Sequence, residues 1–142
     1  MRRMKWMGLL LLLCGCASKV VLPPPQLPTT DFSVNAFPNG MYLIAYKGPT
    51  NVPSERVMDL ALLKASQVAR EQELKYFVIV DQAASRPGEV KFRRSLPGAG
   101  EWNNELLIQA FKGRPHRVFC YRAEATEKAI YEKFRSAAEA AL

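Results

Sequence analysis

A single histidine, His116, occurs in the 142 residues, and there are only three cysteines, Cys14, Cys16 and Cys120. A zinc site would have to combine that His with a Cys and carboxylates, and none of these stand at metal-ligand spacing. A Ser-His-Asp or Cys-His constellation has His116 alone to build on. If residues 116–120 form a strand, alternation puts His116, Val118 and Cys120 on one side. Four residues of rise then hold His116 and Cys120 about 13 Å apart, beyond the reach of a nucleophile and its base. No glycine-rich loop follows a strand and opens a helix, which removes the usual phosphate cradle. No apolar run approaches the roughly 20 residues needed to span a bilayer. These absences lead to the expectation of a protein with no catalytic residues, no metal and no cofactor, a small hydrolase being the weak alternative.

What is present begins at the N-terminus. Arg2, Arg3 and Lys5 precede an apolar run from Trp6 to Leu13, and Cys14-Gly15-Cys16 follows. A basic segment, a short apolar core and small residues at the cut are the marks of a secretory signal peptide. Leu13-Cys14-Gly15-Cys16 resembles a bacterial lipobox, with Leu three places before the modified Cys and Gly immediately before it. The resemblance implies that residues 1–15 are a signal peptide and that Cys16 becomes the lipidated first residue of the mature chain. Cys14 does not fit as the acceptor, because Leu13 is too large for the position before the cut. In Gram-negative lipoproteins, to which this N-terminus is similar, Ala17 rather than Asp after the lipidated Cys implies the outer membrane, facing the periplasm.

Loss of the signal removes three of the charges that make up the formal +7, leaving +4 for the mature form. Such a mild excess in the envelope argues against nucleic acid and leaves lipid headgroups, peptidoglycan or another envelope protein as partners. Cys120 then remains without an intrachain partner, and a lone Cys within Arg117-Val118-Phe119-Cys120-Tyr121 is most simply a small core residue; an intermolecular bridge or a reactive thiol are the alternatives. Residues 16–39 carry Leu22-Pro23-Pro24-Pro25 and show no helical or strand period, so they are expected to form a semi-rigid tether.

Residues 40–142 are expected to form one small domain. Met41–Lys47 has the alternation of a strand, with Tyr42, Ile44 and Tyr46 on one face and Gly48-Pro49 ending it. A helix is expected to open near Ser54, its N-cap, and to run to about Leu74. Val57, Met58, Ala61, Leu62, Ala65, Val68 and Ala69 share one arc of it, and Leu60, Leu63 and Leu74 form a second apolar flank. Tyr76–Val80 is apolar throughout, as befits a strand at the sheet centre. Residues 82–104 form the longest irregular stretch, with an edge strand near Val90–Ser95. Leu106–Phe111 and Val118–Tyr121 are predicted to pair as a hairpin across Lys112–Pro115. Glu124–Leu142 closes the chain as a helix with Ile130, Phe134, Ala137, Ala138 and Ala141 in a stripe. The fold class is α+β, a mostly antiparallel sheet of about four strands with two helices on one face.

Tyr42-x-Ile44-x-Tyr46-x-Gly48, then Ser54-Glu55-Arg56-Val57-x-Asp59-x-Ala61-Leu62-Leu63-x-Ala65, then Tyr76-Phe77-x-Ile79-x-Asp81 resemble a family of small Gram-negative lipoproteins of uncharacterised function. That family has a lipobox, a variable linker, a Tyr-x-Ile or Tyr-x-Val strand ending near Gly, an Ala-rich helix, and a strand opened by an aromatic pair. The likeness covers about forty residues of the middle and the lipobox. The chain departs from it at Gln72-Glu73-Leu74-Lys75, where members often have Gly, and in the basic loop 82–104. The family brings no established catalytic residue.

Two surfaces are therefore candidates. Leu60, Leu63 and Leu74, with the strand edge Tyr42–Tyr46, would dock another envelope protein if the domain is an adaptor. Lys91, Arg93 and Arg94, with Lys112, Arg114, His116 and Arg117, would form an anion-binding rim for cell-wall polymer or lipid, with Phe92 and Trp102 as stacking surfaces, if the two loops meet at one end of the sheet.

Overall fold

The computed structural model describes residues 29, 31–98 and 100–141. The expected signal peptide, Cys16 and most of the expected tether lie outside the described residues. The first element is nevertheless a strand drawn from the stretch assigned to the tether. β1 (Phe32–Phe37) pairs antiparallel with β2 (Met41–Tyr46), so the domain begins eight residues before the expected Gly40. Phe32 and Val34 alternate with Ser33 and Asn35, and the tight connection Pro38–Gly40 returns the chain through Asn39 and Gly40, both at positive φ. Asn-Gly between alternating runs is a strong hairpin signal, hidden here by the proline-rich residues before it. Gly40 is required twice over: its φ is +72°, and a Cβ there would lie 2.9 Å from the carbonyl oxygen of Ala110.

Four more strands complete an antiparallel sheet: β3 (Tyr76–Val80), β4 (Phe92–Arg93), β5 (Glu105–Phe111) and β6 (Tyr121–Arg122). The spatial order is β1-β2-β5-β3, and the outer edge of β3 is shared by β6 near its start and β4 near its end. The chain is thus an α+β domain, with six strands among the described residues rather than about four. β4 lies within the edge strand expected at Val90–Ser95. The expected hairpin is not formed. Both edges of β5 are already taken by β2 and β3, so the chain after Phe111 crosses the start of β3 and pairs as β6 on its far side. Val118–Cys120 consequently lie outside any strand.

α1 (Ser54–Glu71) lies across β2, β3 and β5, and α2 (Ala123–Ala140) packs against α1 and β6. Pro53, not Ser54, occupies the N-cap position, and no side chain caps that end. Both apolar flanks of α1 are largely buried in one core that also takes in residues of the sheet and of α2. The fully buried Ser66 satisfies its hydroxyl by donating to the Leu62 carbonyl at 2.9 Å. The helices run antiparallel: Arg70 near the end of α1 pairs with Glu127 early in α2, while Lys133 reaches back to Glu55 and Asp59 in the first turns of α1. Arg56 stacks on the Phe134 ring, 5.2 Å from its centroid. Beyond Phe134, α2 overruns the start of α1, and Ala137, Ala138 and Ala141 are exposed rather than packed. Ile130 is buried, as its stripe predicts.

Candidate functional site

The helix-facing side of the sheet carries the core. Ile44, Leu106, Ile108, Phe77 and Ile79 are all essentially inaccessible there and meet Val57, Leu60, Leu63 and Ala65 of α1. This overturns the first candidate surface. Leu60 is 3% exposed and Leu63 0%, and half-buried Leu74 packs on the same core. A second apolar flank on one helix is compatible with a partner protein, but here the flank is taken into the core of the same chain. Nor is there an open edge at Tyr42–Tyr46, because β2 lies between β1 and β5. Tyr42 and Tyr46 are half-buried against the core, and Tyr46 tilts against Phe32 with ring centroids 5.2 Å apart.

The sheet's opposite face is covered by neither helix. Register aligns Phe37, Met41, Gln109 and Val78 in one row across it, and Asn35, Leu43 and Leu107 in the next. Met41, Leu43, Leu107 and Phe111 are half-buried, and Phe37 is 48% exposed. Phe92, opposite Val80, and Phe111, opposite Tyr76, meet edge to face at 6.4 Å, on either side of the fully buried Val78. Hydropathy alternation within β2 and β5 is weak because both faces of these strands are apolar, so the sequence pattern identified the strands but not this second face.

The basic residues separate. Lys91 accepts the amide of Asp81 on its carbonyl beyond the end of β3, whereas Lys112 follows Phe111, which pairs with Tyr76 at the start of β3. Lys91 and Lys112 thus stand at opposite ends of the central strand. In the first loop Lys91 pairs with Glu89 at 3.2 Å and Arg93 with Glu101 at 2.5 Å, which compensates much of its charge; Arg94 is exposed. In the second, Lys112, Arg114 and Arg117 have no acidic side chain within 4.0 Å among the described residues, and all are exposed. Phe92 and Trp102 are half-buried rather than displayed, and Trp102 Nε1 is buried without a hydrogen-bond partner among the described residues. The displayed aromatic is Phe119, 51% exposed and edge-to-face with Tyr121 at 5.2 Å. Its position within an expected strand gave no sign of that.

An open cleft of about 410 Å³ lies at the end of β3, with Asp81, Arg93, Glu101, Asn103 and Glu105 in its wall. Among the described residues its lining holds no Ser, Thr, Cys, His or Lys. His116 is exposed and Cys120 half-buried in the crossing loop. Among the described residues no group of three or more His, Cys, Asp or Glu is placed to hold a metal ion, and no helix is long and apolar enough to cross a membrane. The groups with displaced proton affinity lie elsewhere. Hydrogen bonding to Glu127 raises Arg70, the same interaction with Asp59 raises Lys133, and burial raises the Tyr121 phenol. These are structural contacts of the helix seam and the sheet edge.

No family model, curated protein or solved structure matches the chain.

Proposed function

We propose that this chain is a lipoprotein anchored through Cys16 in the outer membrane, facing the periplasm, and that its domain is a non-enzymatic binding module for another envelope protein. The lipobox-like Leu13–Cys16 supports the anchor. The observation that carries the binding role is the sheet face turned away from α1, where Met41, Leu43, Leu107 and Phe111 form a partly exposed apolar patch beside Phe37. Contiguous apolar surface of this kind on a small domain marks an interaction site. With Leu60 and Leu63 in the core, this face replaces them as the partner surface.

In-cell crosslinking of the full lipoprotein, with Cys16→Ala as control and mass spectrometry of the attached species, tests the proposal. One abundant envelope protein captured only by the lipidated form, and lost on Leu43→Glu with Leu107→Glu, is the expected result. Unchanged capture by that folded double variant removes the sheet face from the proposal. Scattered low-yield products, or capture of glycan and lipid alone, would count against the adaptor role itself.

A further inference from the structure

The turn Pro38–Gly40, the loop 112–117 and the start of β3 all lie at one end of the sheet. Gln109 donates to the Asn39 carbonyl at 3.1 Å, and the Lys75 amide donates to the Phe111 carbonyl at 3.0 Å. Ala123 in turn donates to the Lys75 carbonyl at 2.9 Å, which brings Arg122 to the same end. Five cationic side chains therefore gather here: Lys75, Lys112, Arg114, Arg117 and Arg122. Glu73 and Glu124 share a cleft with Lys75 and Arg122, so the uncompensated charge resides in Lys112, Arg114 and Arg117. Exposed Phe119 follows that loop, and Phe37 lies across the same end.

We propose that this end of the sheet docks on the surface of an anionic phospholipid bilayer, with Lys112, Arg114 and Arg117 on the headgroup phosphates and Phe119 entering the acyl boundary. Clustered cations attract an anionic leaflet within a Debye length, and an adjacent aromatic ring adds buried apolar area. The exposed Phe is the reason to choose lipid over peptidoglycan, whose sugars and carboxylates offer no apolar layer.

The proposal rests on lipidation of Cys16, and the chain length accommodates it. Cys16 and Asp31 are fifteen residues apart, a reach of at most ~50 Å. β1 is six residues long, about 17 Å from end to end. The connection from Cys16 is thus long enough to pass the length of β1 and let its far end, where Phe37 lies, face the membrane. Docking would fix an orientation that the lipid alone leaves free, with the sheet rising from the bilayer and its uncovered face turned sideways toward a partner.

The test is hydrogen exchange of the purified lipidated protein in phosphatidylcholine vesicles and in vesicles containing phosphatidylglycerol, with Phe77–Val80 as an internal measure of folding. Exchange across residues 112–119 is expected to slow ~10-fold or more in the anionic vesicles alone. The protection should vanish between 0.01 and 1 M salt, where the Debye length falls from about 30 to about 3 Å. It should also vanish in Lys112→Glu/Arg114→Glu/Arg117→Glu and diminish in Phe119→Ser, with Phe77–Val80 unchanged in both. Equal exchange in the two vesicles, with the protein retained on both, overturns the docking and leaves the anchor standing. Protection by added peptidoglycan but not by anionic vesicles also overturns it, assigning the loop to cell-wall polymer. Release of the protein from neutral vesicles overturns the anchor, and the docking with it.

Discussion

The Leu74 amide donates to the Ala69 carbonyl at 2.8 Å, and the Glu73 amide to the Arg70 carbonyl at 3.0 Å. These two bonds close the C-terminus of α1 as a Schellman motif, with Glu73 in the left-handed position at φ +59°. The motif is what stops the helix at Glu71 and turns Leu74 back onto the core, three residues before hydropathy alone would end it.

A residue with a Cβ is strained in that position, and glycine is not. Glu73→Gly should therefore stabilise the domain by about 0.5–1 kcal/mol, after the entropic cost of glycine in the unfolded chain. Urea denaturation checks it: the midpoint should rise with an unchanged slope. A lower midpoint would mean that Glu73 makes a side-chain interaction worth more than the backbone strain.

Leu60 and Leu63 should behave as core residues. Truncating either to Ala is expected to cost roughly 2–5 kcal/mol, the range for buried Leu, whereas Leu43→Ala on the uncovered face should cost markedly less. Equilibrium unfolding of the three variants separates the two surfaces. Leu63→Ala with near wild-type stability would mean that α1 does not pack into the core as described.

Tyr121 lies flat on Phe77, with ring centroids 5.2 Å apart and an interplanar angle of 13°, and burial raises its phenol above the usual value near 10. Above pH 10 the folded state therefore holds this proton more tightly than the unfolded chain, and stability falls as pH rises toward the folded pKa. Below pH 10 the contribution is fully present. Lys133 and Arg70, raised by their ion pairs, act with the same sign at still higher pH. Tyr121→Phe should flatten the decline that sets in above about pH 10 while changing stability at pH 7 little. An equally steep alkaline decline in the variant would assign it to the lysine and arginine pairs.

Much of the fold was legible because its determinants are local. The 3.6-residue period of Val57, Ala61, Leu62, Ala65 and Val68 identifies α1, and the unbroken Tyr76–Val80 run identifies a central strand, whatever lies nearby. β1 was less legible because its alternation lasts only from Phe32 to Ala36, against a proline-rich background. The candidate site was hardly legible at all. A Leu flank has the same appearance whether a second helix of the chain or another protein covers it.

What the sequence by itself determined is therefore the elements and their hydropathic faces, because backbone propensity and side-chain period are properties of contiguous residues. Which faces are covered was decided only by tertiary structure. Packing of α1 into the core of the domain buried Leu60 and Leu63, and antiparallel docking of α2 on α1 left Ala137 and Ala138 exposed. The edges of β5, already filled by β2 and β3, sent the chain across the end of the sheet, and that crossing put Lys112, Arg114 and Arg117 beside an exposed Phe119. Both outcomes come from pairings between residues far apart in the chain, whose stability depends on which surfaces remain free when they meet.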